Sequence, residues 1–449
     1  VQGVKTKNTV FSLGGIALST ACYIFIAHSL QRENFNGLLI SYTLLFVGFL
    51  AMYQSKVSFK QLVILAIFFR LLFAWALPVL SNDFYRFVWD GRLLTQGLNP
   101  YLYLPVEFVK TNPQAVAQGK ELVEGMGNLN ASHYTVYPPL NQLCFWFSAW
   151  LFPQSLAGAV ATMRAILVLA DVGVIILAAQ LLRLLKLPQR SIFLYALNPF
   201  VIVEFTGNLH WEGLMAFLLL VALWLLYKNR WLGSALFWGL SVSVKLVPLV
   251  FLPLLIARLG LKKIVVFGSI CLGTLALLFA PFASAALLAN FGSSLELYFQ
   301  NFEFNASLYY LFRQIGFWLY GFNQIAVIGK LMPLVVLLAV LALAIFGRRA
   351  HPQKLPLLML ATICLYYLFS TTVHPWYLGV PLLLSVFTRY RFMQIWSFTV
   401  ILSYWAYGQA AYQENLVLVA IEYGLVLLFF IAEYNHRLPT WPNTTRNEV

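Results

Sequence analysis

The chain has 449 residues, 61% of them hydrophobic and 10% charged, with a formal net charge of +14. Ordinary soluble domains carry about 25% charged residues, so a soluble fold is excluded: that much apolar surface cannot be hidden in one core, and no polar stretch is long enough to make a separate soluble domain. The chain therefore reads as a single all-α polytopic membrane domain over 1–449, with about 13–14 transmembrane helices.

In chain order, apolar runs at 9–29, 37–53 and 61–80 come first. No convincing cleavage site follows Val10 to Ser29, so the first run is expected to be a retained span. The longest break, 81–136, is expected to be a first outer loop that opens on an amphipathic interfacial helix over 83–94. Segment 137–152 starts with Pro138-Pro139 and is expected to insert only partly. A clear span at 157–182 and shorter ones at 191–206 and 213–227 follow. Lys245, Pro248 and Pro253 interrupt 231–257, which predicts a broken helix pair that enters and returns. Next come a span at 264–286, a second large outer loop at 289–322, and spans at 323–346, 355–371, 376–388, 392–407 and 416–433.

Basic residues orient these elements. Nineteen of the 29 Lys and Arg fall in short connections or at the termini, and all nineteen can face the cytosol if 137–152 does not cross and 231–257 turns back. Only Glu433 and Glu448 of the 15 acids lie at those ends. The positive charge is thus a topology signal, with no nucleic-acid partner expected. Both termini are expected to be cytosolic. Cys22, Cys144, Cys271 and Cys364 all sit in apolar runs without metal-ligand spacing and read as buried thiols. Arg164 and Asp171, seven apart on one helical face, read as a buried structural pair.

The remaining polar groups collect on the outer side. They include Asp83, Arg86, Asp90, His210, Glu212, Lys245, Glu303, Arg313 and His374, each set from a different loop or helix tip. Charges near hydrocarbon are costly, so a convergent set points to a shared pocket. If 83–94 is helical, Asp83, Arg86 and Asp90 share one face. The bland alternative is that Asp and Arg simply pair there. No Walker, HExxH, CxxC or GxGxxG element occurs, so no soluble nucleotide site is evident.

The stretch from Asn82 to Tyr101, Asn-Asp-x-Tyr-Arg-x-x-Trp-Asp-Gly-Arg followed by Gly-x-Asn-Pro-Tyr, resembles the first outer loop of the GT-C glycosyltransferases. The resemblance is closest to the bacterial polyprenyl-phosphate-mannose-dependent mannosyltransferases. Tyr137-Pro138-Pro139-Leu140, Asn198-Pro199 through Gly207-Asn208-Leu209-His210, Lys245-Leu246-Val247-Pro248, Phe304-Asn305-Ala306-Ser307-Leu308-Tyr309 and His374-Pro375-Trp376-Tyr377 follow in the same order. One departure is His210-Trp211-Glu212, where the family usually continues His-Asn-Asp.

The resemblance implies transfer of a sugar, commonly mannose, from a polyprenyl-phosphate donor to an acceptor hydroxyl, with inversion. It places the protein in the bacterial inner membrane, with its active site on the extracytoplasmic side. The acceptor could be a glycolipid, a polysaccharide or a protein. By position and resemblance Asp83 is the expected base, while Arg86, Asp90, His210, Glu212, Lys245, Arg313 and His374 are expected to bind donor or acceptor. No cofactor is required by these residues, although Asp83 and Asp90 could share a divalent metal. A transporter or flippase of a lipid-linked sugar is the competing reading. Against it, the chain shows one long loop with carboxylates at its start and no internal repeat.

Overall fold

The structure is a computed structural model of the chain, describing residues 2–296, 302–347, 352–409 and 412–435. The N-terminal half runs through α1 (Gln2–His28), α2 (Phe35–Gln54), α3 (Phe59–Leu71), α4 (Asp83–Thr95), α5 (Pro105–Thr111), α6 (Gly119–Ala131), α7 (Pro139–Leu151) and α8 (Leu156–Leu184). The rest comprises α9 (Glu212–Tyr227), α10 (Trp231–Val242), α11 (Ile256–Phe279), α12 (Leu287–Glu296), α13 (Leu308–Tyr320), α14 (Ile325–Phe346), α15 (Leu355–Leu368) and α16 (Leu416–Tyr434), joined by shorter helical turns. Among the described residues there is no strand, only an isolated bridge between Phe304 and Thr372.

Local chemistry sets many of the helix starts. Asn34 accepts from the Gly37 amide at 2.9 Å ahead of α2. Ser58 and Gln61 form a reciprocal capping box ahead of α3, and Ser155 caps α8. Each satisfies an amide that the first helical turn leaves without a partner. Among the described residues, five elements are by length and composition able to cross a membrane: Phe35–Gln54, Leu156–Leu184, Val247–Phe282 (kinked at Gly260), Ile325–Phe346 and Leu416–Tyr434. Pro199–Gly207 with Glu212–Tyr227, bent by 112°, makes a sixth if the pair counts as one span. The protein is a multi-pass, all-α membrane protein.

Several expectations are corrected by the fold. The third run, 61–80, is helical only to Leu71; thirteen residues rise about 20 Å, short of a bilayer core. Beyond it the chain unwinds, and the Ala74 carbonyl accepts from Arg164 at 3.2 Å. Arg164 does not pair with Asp171. It donates instead to the carbonyls of Thr206 and Gly207, while Asp171 takes Arg70 of α3 at 2.9 Å. Arg70 and Asp171 are both buried, so each needs the other's charge.

The helix expected over 83–94 forms, but it is not an amphipathic helix with one free face. Residues Phe84, Arg86 to Leu93 are buried, because α6 and α7 pack along α4. Phe87 stacks on Phe145 of α7, with centroids 4.7 Å apart and planes 9° from parallel. Gly91 permits the close approach: a Cβ there would collide with the Phe145 carbonyl oxygen. Helix α7 has thirteen residues, about 20 Å.

Segment 231–257 forms α10, a non-helical turn at Lys245, and a tight 3-10 stretch, Val247–Leu255. Proline cannot donate to the ladder, and Pro248 and Pro253 lie in that stretch. At the other end of α10, Arg258 donates to the Leu226 carbonyl at 3.0 Å and Lys263 lies over the Trp231 ring. Lys245 and the Arg258–Lys263 cluster are therefore separated by the length of α10, about 18 Å for its twelve residues.

Candidate active site

Four stretches of chain deliver polar groups to one place. The unwound end of the third run turns at Ser81 and Asn82 into α4, making Asp83 the first residue of that helix. There the unpaired amides of the first turn favour negative charge. Ile202–Gly207 is wound as a π-helix, and Leu209 then takes a left-handed backbone, φ 60°. That conformation is unfavourable for a branched side chain. It turns the chain so that His210 and Glu212, the first residue of α9, point inward. The tip of the broken pair supplies Lys245, and the connection after α15 supplies His374. Asp83, His210, Glu212, Lys245 and His374 all line one cavity of about 800 Å³.

Asp83 accepts from the Asn130 side-chain amide at 3.0 Å and from the Tyr137 hydroxyl. Burial is the largest influence on it and pushes its pKa above the ordinary carboxylate value; the two hydrogen bonds, then Arg32 and Lys245, pull the other way. A carboxylate with raised proton affinity facing a cavity has the property a general base needs.

The two histidines act as neutral groups. His210 stacks on Trp376 at 3.8 Å and His374 stacks on the same indole at 4.5 Å. Burial, with Lys245 nearby, depresses both: His374 to about 3 and His210 well below its usual value. Neither is a cation at neutral pH, so each can offer a hydrogen bond but no charge. His374 Nδ1 is buried without a hydrogen-bond partner, which leaves it available to a ligand. Lys245 carries charge, but it is ion-paired with Glu212 and its ammonium lies 4.0 Å from the Tyr377 ring centroid.

Three residues expected at the site lie elsewhere. Arg86 and Asp90 do not line the cavity. They pair with each other at 2.8 Å, fully buried. Asp90 also accepts from Gln142 at 3.0 Å, and Arg86 donates to the carbonyls of Asn130 and His133 at 2.9 Å. They therefore hold the Asn130 loop, and with it the partner of Asp83. Arg313 pairs with Glu303 at 2.5 Å, outside the cavity. Because Asp90 faces Arg86 and Gln142, it forms no shared cation site with Asp83, and among the described residues no three His, Cys, Asp or Glu gather as a metal-ligand set.

The cavity also holds residues the sequence did not single out, notably Arg32, Tyr407 and Tyr412. Arg32 did leave a signal: it belongs to none of the basic groups expected to anchor the cytosolic side.

A multi-pass helical membrane protein that gathers a carboxylate, two neutral imidazoles and cations around one large cavity has the layout of a membrane-embedded enzyme. Residues 8–260 match the family model described as alpha-(1->6)-mannopyranosyltransferase, N-terminal domain, and the chain belongs to that family. Over 188 residues it is 25% identical to alpha-(1->6)-mannopyranosyltransferase A of Corynebacterium glutamicum, a match covering 40% of this chain and 35% of that protein. The matched part thus spans about a third of the relative's length. The family match includes Asp83, His210, Glu212 and Lys245, and ends before Arg313 and His374.

Proposed function

We propose that this chain is a mannosyltransferase that moves mannose from a polyprenyl-phosphate donor to an acceptor hydroxyl, with inversion, at the extracytoplasmic face. The observation that carries this reading is Asp83, a carboxylate of raised proton affinity opening on a cavity that also receives cations from other loops. In the reaction the acceptor hydroxyl gives its proton to Asp83 as its oxygen bonds to the anomeric carbon. The bond from that carbon to the phosphate oxygen breaks, and its electron pair leaves with the polyprenyl phosphate. The departing group is already an anion, so the protein needs to supply positive charge and hydrogen bonds rather than a strong acid. Lys245 brings an ammonium to the wall, paired there with Glu212, and His210 and His374 are placed to orient sugar hydroxyls or phosphate oxygens.

The family membership and the relative's name support mannose as the sugar. The separation of Lys245 from the Arg258–Lys263 cluster supports an outer-side site by the positive-inside rule. The test is release of polyprenyl phosphate from a radiolabelled polyprenyl-phosphate mannose by purified protein. Asp83→Asn keeps the shape and removes the base, so turnover should fall by about 10²–10⁴ while donor binding persists. Transfer at the wild-type rate by that variant would remove Asp83 from the mechanism.

A further inference from the structure

We infer that Arg32, in the connection between α1 and α2, is the residue that grips the anionic phosphate of the ligand in this cavity. This inference deepens the donor reading above and rests on it. Arg32 lines the same cavity as Asp83 but, among the described residues, forms no salt bridge with a carboxylate. Its Nη1 donates to the neutral Asn82 side-chain oxygen at 2.8 Å. Its guanidinium lies over the Tyr407 ring, 4.7 Å from the centroid, and its Nε is buried without a hydrogen-bond partner. Lys245 lines the same cavity and also rests on an aromatic ring, but it is already ion-paired with Glu212.

The guanidinium is near enough to Asp83 to favour that group's charged form, yet with no direct ion pair it keeps spare donors, in a position set by an aromatic face and an amide. Holding a cation that way is preorganisation, since little side-chain freedom remains to be lost on binding. A planar fork of N–H donors also matches phosphate oxygens better than an ammonium does. The Asn82 contact adds a geometric consequence: Asn82 immediately precedes Asp83, so the anion-binding cation and the base are tied to adjacent residues. A fixed spacing between them suits a sugar held by its phosphate on one side and met by the acceptor on the other.

The test uses the full chain in detergent or nanodiscs, with farnesyl phosphate, farnesol and inorganic phosphate as probes and quenching of tryptophan fluorescence as the readout. The wild type should bind farnesyl phosphate, and Arg32→Gln should weaken it by about 10- to 100-fold, the range for losing hydrogen bonds to a charged group. Farnesol binding should be unchanged in Arg32→Gln, which shows that the cavity is intact. Arg32→Lys should lose less than Arg32→Gln, because it keeps the charge but not the fork. Equal affinity of wild type and Arg32→Gln for farnesyl phosphate would overturn the role of Arg32 and leave the donor reading standing. A wild type that binds farnesol and farnesyl phosphate equally would overturn the donor reading itself. Inorganic phosphate bound as tightly as farnesyl phosphate would show that the site takes a free anion and would overturn a lipid-borne ligand.

Discussion

Asp83 and Asp90 stand seven residues apart on α4, and replacing each by asparagine should have opposite consequences. Asp90 is 0% exposed and Arg86 1% exposed. Asp90→Asn removes the counter-charge and leaves a buried guanidinium held by two carbonyls and one neutral amide oxygen. Breaking a buried ion pair from one side typically costs about 3–5 kcal/mol; since the carbonyl contacts of Arg86 survive, the lower end, about 3 kcal/mol, is the expected loss. At about 2.1 cal/mol/K of unfolding entropy per residue, that shifts the midpoint of this 449-residue chain by about 3 °C. Asp83 is different. Its raised pKa means that the folded protein holds a proton there more tightly than the unfolded chain does, so ionisation at neutral pH works against folding. Asp83→Asn removes that unfavourable charge, and the new amide oxygen can still accept from Asn130. Its unfolding midpoint should equal or exceed that of the wild type, while transfer collapses. Thermal unfolding followed by tryptophan fluorescence, beside the donor-release assay, reads both quantities on the same preparations. If Asp90→Asn unfolds with the wild type and Asp83→Asn unfolds early, the assignment of one carboxylate to structure and the other to chemistry is wrong.

Two further outcomes follow from the same geometry. Gly91→Ala drives a methyl group into the Phe145 carbonyl, so α4 and α7 must separate; a loss of about 1–3 kcal/mol should appear as a lower unfolding midpoint, and an unchanged midpoint would mean that the two helices are not in this contact. His133, outside the spans, is depressed to about 4 by burial first and then by Arg86. The folded state therefore resists a proton that the unfolded chain accepts below its ordinary value near 6.5. Stability from this group is complete above that pH and is lost as pH falls toward 4, by up to about 3 kcal/mol. The unfolding midpoint should drop across that window, and His133→Gln should flatten the drop.

The lengths of the apolar runs and the placement of basic residues made the helical, multi-pass architecture legible, because a bilayer imposes a length on any helix that crosses it. Pro138-Pro139 and Pro248 likewise fall at real helix starts, where a missing ladder donor costs nothing, whereas Pro253 lies inside a 3-10 stretch that runs on into α11. Pairing between elements was not legible. Arg164 and Asp171 share a helical face, yet seven residues separate them by about 10.5 Å along the axis, too far for an ion pair; the partner of Asp171 had to come from another helix, and sequence periodicity does not say which. The same gap hid the fate of Asp90. Offsets of three, four and seven correctly place Asp83, Arg86 and Asp90 along one helix, but whether that face meets a cavity or a neighbour depends on α6 and α7.

Arg32 shows how much of a site can lie outside its recognisable motifs. The motif stretches run from Asn82 to Tyr377, whereas Arg32 precedes them and reaches the site only because its loop folds against Asn82 and Tyr407. Charge accounting could still have found it. An arginine outside the cytosolic anchors must be solvated, paired or placed beside a ligand, because an unpaired cation near hydrocarbon is costly. Arg32 is only partly exposed and has no carboxylate partner among the described residues. Its position on the cavity wall, against Asn82 and Tyr407, is where a ligand's negative charge would meet it.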